Sequence, residues 1–109
     1  MKELKAFIRP NKVNKIIHHL IKNGFENITI SIAEGTGKFQ DDNAFVSQKF
    51  SITDSEIAKL EIVIHDSDIE KVVHIISNYG KTLNPGDGII YISNVEKAYR
   101  VKTGKEIGK

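Results

Sequence analysis

Two stretches of this chain repeat one order of periods: a two-residue apolar alternation, a helical spacing, then alternation again. Few folds accommodate that order twice. Leu4, Ala6 and Ile8 alternate with Lys5, Phe7 and Arg9, which predicts a strand stopped at Pro10. Asn11 is placed to cap a helix that Val13, Ile16, Ile17, Leu20 and Ile21 mark at the 3.6-residue spacing. Gly24 falls where a helix end takes a glycine. Ile28, Ile30 and Ile32 then alternate with Thr29, Ser31 and Ala33, giving a second strand. The order returns with a third strand near Lys59 to Ile64 and a second helix capped by Asp66 or Ser67. That helix has an apolar stripe of Ile69, Val72, Val73, Ile76 and Tyr79 and is closed by Gly80. A fourth strand runs from Ile89 to Ser93, with a short tail behind it.

The order β-α-β-β-α-β predicts an α+β, ferredoxin-like fold: a four-stranded antiparallel sheet with two helices on one face. Residues 1–109 make one domain, enough for a real core and too few for two. The other sheet face, expected to be mostly isoleucine and valine, is poorly placed in water, so self-association through it is predicted. The same expectation disfavours an RNA-binding module, whose sheet would display aromatic and basic residues.

Composition narrows the function classes. Hydrophobic residues make up 39% of the chain and charged residues 28%, as in ordinary globular proteins. A formal net charge of +2 is too small to argue for nucleic acid or for a bilayer surface as primary partner. No apolar run approaches the roughly 20 residues of a bilayer crossing. Met1-Lys2-Glu3-Leu4 does not open an apolar leader, and there is no cysteine, so the expected compartment is the cytoplasm.

Regularity fails between Gly35 and Glu56. That segment carries Asp41, Asp42, Asn43, Ser47, Gln48, Lys49 and Ser51 with no sustained period. A connection of this length between neighbouring strands is a binding element or a mobile arm more often than packing. Weak alternation from Asn43 to Ile52 suggests that it extends the strands when a partner is present. A second irregular feature is the turn Gly86-Asp87-Gly88, set directly before an apolar β-rich run. Glycines let backbone N–H groups approach a ligand, and Arg100 and Lys102 add two cations on one side of what reads as an extended segment. Together these are the ingredients of a phosphate site. The histidines suggest no metal centre, since His18 and His19 are consecutive on a helix and point apart. Asp66 with Asp68 reads as capping chemistry. No nucleophile–base pair and no Walker lysine motif occurs, so no catalytic residues are assigned.

From Met1 to about Ile107 the chain resembles the PII signal-transduction proteins of nitrogen regulation. The run Ala6-Phe7-Ile8-Arg9-Pro10-Asn11-Lys12-Val13 is similar to the family's first strand and its turn into the helix. Gly24 and Thr29 match the helix end and the second strand. Gly35-Thr36-Gly37-Lys38 resembles the start of the family's T-loop (35–56 here), and Thr82 to Ile92 resembles the B-loop signature, whose loop is 82–88. Arg100-Val101-Lys102-Thr103-Gly104 resembles the C-loop (100–107). The resemblance implies a cytoplasmic homotrimer that binds an adenine nucleotide (ATP, ADP or AMP) in clefts between subunits, without a metal or other cofactor assigned. In the family the T-loop base and B-loop come from one subunit and the C-loop from its neighbour. Carried over, Gly35, Gly37, Lys38, Gly86, Asp87 and Gly88 lie beside the phosphates. Arg100 and Lys102 reach them across the interface, while Thr29 and Val63 line the adenine pocket.

Departures from the family pattern shape the expected function. Ile89 stands where the family has a basic residue, Lys102 replaces a bidentate arginine, and Ile57 replaces a lysine whose role Lys59, on the same strand face, is placed to take. Phe39 occupies the place of a glutamine that helps hold magnesium and 2-oxoglutarate. No tyrosine lies between Gly35 and Glu56 for uridylylation. Fewer cations mean that ADP or AMP competes well with ATP. The expected function is regulatory: nucleotide occupancy sets the arm, and the arm docks on a target protein, a membrane transporter or a metabolic enzyme. The alternative is slow nucleotide hydrolysis in the same cleft.

Overall fold

A computed structural model of the chain describes residues 1–35, 45–46, 53–84 and 86–108, with the side chains of Phe45, Val46 and residues 53–55 excepted. Its elements are β1 (Lys2–Ile8), α1 (Val13–Lys22), β2 (Ile28–Gly35), a short β3 (Phe45–Val46), β4 (Thr53–Ile64), α2 (Ile69–Gly80) and β5 (Gly88–Asn94). The main sheet runs in the order β2-β4-β1-β5 with every pairing antiparallel, and β3 pairs β4 beside that path. This is the ferredoxin-like α+β architecture expected from the repeated periods.

Alternation along the strands decides which face is dry. Leu4, Ala6 and Ile8 of β1 lie opposite Ile62, Leu60 and Ala58 of β4, and all six are buried with Ile64 beneath the helices. Ile16 and Leu20 of α1, and Val72, Ile75 and Ile76 of α2, complete that cluster. Ile75 lies outside the stripe expected from sequence, because the helix turns a broader arc onto the sheet than one narrow seam. Ile21, also expected inside, is 48% exposed.

The helix ends depart from the predicted capping. Asn11 makes no side-chain cap; it sits in a 3-10 turn over Pro10–Lys12 that leads straight into α1. Neither Asp66 nor Ser67 caps α2, which follows a 3-10 turn over Asp66–Asp68, and Asp66 instead accepts the Met1 ammonium at 2.9 Å. At the far end of α1, Gly24 at φ +90° donates to the Ile21 carbonyl, while the Phe25 amide donates to that of Leu20. That pair of bonds closes the helix as a Schellman motif, where only glycine takes the left-handed turn readily. Gly80 differs: it is the last residue of α2, buried, and a Cβ there would stand 3.2 Å from Ile16 Cδ1. It therefore serves close packing of α2 on α1, not a terminal turn.

Two larger differences concern strands. β4 begins at Thr53, six residues before the run read from alternation, so its first part lies within the segment expected as loop. Behind β5 the chain forms no plain tail; Ile107 donates to the Ala98 carbonyl at 2.7 Å and Arg100 to that of Lys105 at 2.9 Å, making a hairpin.

The uncovered sheet face is not the isoleucine and valine surface expected. Phe7 meets Tyr91 edge-on at 6.2 Å and pairs with half-exposed Ile89, while Val63, also half-exposed, lies opposite Glu3 at the other end of β1. Lys5 pairs with Glu3 at 3.8 Å, and Lys59 with Glu61 at 3.6 Å, so this face carries its lysines already matched by glutamates. Aromatics are therefore present, and what disfavours RNA here is the absence of uncompensated lysine charge on the face.

Candidate functional site

The turn before β5 is built by one carboxylate. Asp87 accepts the Thr82 amide at 2.7 Å, the Thr82 hydroxyl at 2.6 Å and Arg9 Nε at 3.0 Å. Burial by itself would raise this carboxyl, but the Thr82 hydroxyl, the Thr82 amide and Arg9 together hold it below its ordinary value. The Asn84 amide donates back to the Thr82 hydroxyl at 3.0 Å, closing the loop on itself. Gly86 and Gly88 have φ of +92° and +113°. Gly88 also lies directly opposite Ile8 at the end of β1, against the Phe7 carbonyl. The glycine turn is thus fastened to the end of β1 by a backbone contact and by a side-chain clasp.

Behind this turn, a groove of about 370 Å³ is lined by Ile8, Ile76, Gly80, Asp87, Gly88 and Ile90. Ile89, which stands where the resembled family has a basic residue, falls on the opposite, uncovered face beside Phe7.

Thr29 and Val63 belong to a different place. With Glu61, His65, Ile107 and Gly108 they line a cavity of about 620 Å³. Val63 pairs with Glu3, whereas Gly88 pairs with Ile8. Five residue steps along β1 therefore separate the two regions, about 16 Å at the rise of a strand. The base of the C-terminal hairpin lies at the Thr29 end as well: Ala98, Glu106 and Ile107 surround a cavity of about 650 Å³ with Met1, Asp66 and Asn94.

Arg100 and Lys102 do not lie on an extended segment. They sit on the hairpin's exposed turn, which Gly104, at φ +67°, closes by donating to the Arg100 carbonyl at 2.8 Å. Both lie exposed at the hairpin tip, with Val101 fully exposed between them. Gly35 ends β2, opposite Ser55, at the same end of the sheet as Gly88 but on the other edge strand. Gly37 and Lys38 lie outside the described residues, as do Asp41 and Asp42. Lys59 shares its strand face with Ile57, as expected from alternation, and Ile57 is buried while Lys59 is bonded to Glu61.

Within one chain, then, the candidate residues form two separate groups. One is a clasped glycine turn; the other is a cavity with Thr29 and Val63 beside the cationic hairpin. Thr82 and Arg9 were not assigned from sequence, although a threonine five residues before the aspartate is the available signal. Among the described residues, no group of three or more histidine or acidic side chains is suited to a metal ion, and no helix is long and apolar enough to cross a membrane. His19 instead stacks flat on Tyr79 of α2, ring centroids 3.6 Å apart.

Comparison with known proteins matches the family model "Nitrogen regulatory protein P-II" to residues 1–105. A relative of that name from Pyropia yezoensis is 35% identical over 104 residues, covering 94% of this chain and 93% of the relative. Another from Rhizobium meliloti (strain 1021) is 31% identical over 106 residues, 96% and 95% of the two chains. "Nitrogen regulatory protein P-II 2" from Methanothermobacter thermautotrophicus is 34% identical, with all of this chain and 95% of the relative covered. The chain belongs to the nitrogen regulatory protein P-II family.

Proposed function

With membership of the P-II family as the premise, we propose that this chain is a regulatory protein that binds an adenine nucleotide between copies of itself and controls a target protein through the segment from Gly35 to Glu56. The observation that carries this reading is the separation of the two groups of candidate residues. A glycine turn a strand's length from Thr29 and Val63, and a Thr29–Val63 cavity without a glycine turn, each make half of the nucleotide site proposed here. A homotrimer packed through the half-apolar sheet face supplies the missing half from a neighbouring copy, with Phe7, Tyr91, Ile89 and Val63 withdrawn from water.

In this reading, Gly86 and Gly88 present backbone N–H groups to the phosphates, and Asp87 shapes their turn. Gly35, Gly37 and Lys38 approach from the base of the regulatory segment. Arg100 and Lys102 of a neighbouring copy add positive charge, while Thr29 and Val63 hold the base. With Ile89 in place of a cation, the terminal phosphate of ATP gains little, so ADP or AMP competes well. Occupancy shifts the Gly35–Glu56 segment between arrangements only by the ligand's affinity difference for them, and the favoured arrangement docks on a transporter or a metabolic enzyme in the cytoplasm.

The test is sedimentation of the purified chain with calorimetric titration of ATP, ADP and AMP. A trimer that binds ADP or AMP at least as tightly as ATP supports the reading; a monomer that binds none overturns it.

A further inference from the structure

The clasp on Asp87 assigns work to a residue outside the ligand contacts proposed above. We infer that Arg9 is a positioning residue: through Asp87 it holds the Gly86–Gly88 turn in the shape that receives phosphate, without itself contacting the ligand. This rests on the nucleotide reading for its ligand, but its geometry stands alone.

Arg9 and Asp87 are 78 residues apart in sequence, and both side chains are largely covered, at 18% and 30% exposure. Pro10 restrains the backbone of Arg9 to the extended region, where it has φ −65° and ψ 132°, so the guanidinium leaves β1 from a fixed root. Asp87 Oδ1 receives both Arg9 Nε and the Thr82 hydroxyl, and Oδ2 receives the Thr82 amide. The two Thr82 bonds are local, spanning five residues, and close the loop without saying where it points. Arg9 supplies the long-range bond among these three, and it ties the loop to the strand end against which Gly88 is already packed. With Arg9 removed, the loop remains closed but, among the described contacts, its aim relative to β1 is left to the Gly88 contact. Backbone donors that must converge on one anion lose affinity when their aim spreads.

Two measurements test this. In the ligand-free protein, hydrogen exchange of the Thr82 amide, which donates to Asp87 Oδ2, is expected to rise about tenfold in Arg9→Ala, as for loss of one charge-assisted bond, with the amides of β4 unchanged. Unchanged exchange at Thr82, or acceleration spread over the whole sheet, overturns the inference whether or not a nucleotide binds. Calorimetry with ADP on Arg9→Ala, Asp87→Asn and the double variant then separates indirect from direct action. The expected result is a loss of about tenfold in each, with the double variant no weaker than Asp87→Asn alone. Losses that multiply in the double variant mean that Arg9 acts independently of Asp87 and contradict the inference. Wild-type chain that binds no ADP, with exchange at Thr82 behaving as expected, removes the nucleotide reading and leaves the clasp.

Discussion

Gly88 approaches Phe7 so closely that a Cβ on the glycine would lie 1.6 Å from the Phe7 carbonyl oxygen. That atom belongs to the backbone of a central strand and cannot swing away. Gly88→Ala therefore forces β5 off β1 at their first pair, on top of the strain of φ +113°. We expect a loss above about 3 kcal/mol in denaturant unfolding, among the large effects of single substitutions. Gly24→Ala is the control: its φ is also positive, but nothing lies within 4 Å of the added carbon. It should cost only about 1 kcal/mol, the usual left-handed penalty.

Asp87 makes stability depend on acid. Its folded carboxyl lies below the ordinary value of 3.8, so the unfolded chain takes up this proton first as pH falls. Its contribution is complete above pH 3.8 and disappears as pH drops through the lower folded value. Asp87→Asn should be less stable than wild type at pH 7. The gap between them should narrow below pH 3.8 in unfolding curves taken across that range.

His19 carries the opposite kind of group with the same slope. Desolvation lowers its pKa from 6.5, with further lowering from His18, Lys22 and Lys15. The neutral ring is favoured when folded, so stability rises with pH up to 6.5. Proton NMR titration should place His19 below 6.5, and Tyr79→Ala, which removes the stacked ring, should move it back upward.

Much of this layout was legible in sequence because burial on one face imposes a period. Leu4, Ala6 and Ile8, or Ile28 and Ile30, announce their strands through alternation, and the helices through their stripes. What stayed hidden had no period to reveal it. The early start of β4 at Thr53 lies in a polar stretch, and the two 3-10 turns displaced the capping roles given to Asn11 and Asp66. The glycine turn was visible as a motif, but its fastening was not: Arg9 and Asp87 meet only because β5 pairs with β1. Likewise, no local spacing shows that Thr29 and Val63 lie a strand's length from Gly88, since that distance is a property of register.

Ile89 gives a handle on ligand choice. It follows the glycine turn directly and points to the uncovered face, where a lysine's long stem would reach toward phosphates held at the turn under the proposed reading. Ile89→Lys should raise affinity for ATP relative to AMP by about tenfold, one charged hydrogen bond's worth. Competitive titration of the two nucleotides reads that ratio directly.

The proposed division of a nucleotide site between copies is tested most directly by mixing two disabled chains. Gly86→Asp places a negative charge in the glycine turn, and Arg100→Glu/Lys102→Glu reverses the cations of the hairpin. Each alone should bind ADP poorly. Unfolded together and refolded as mixed assemblies, they should regain a fraction of wild-type sites, since some junctions then join an intact turn to an intact hairpin. Mixtures that bind no better than either parent, while mixed assemblies demonstrably form, would contradict a site shared between copies.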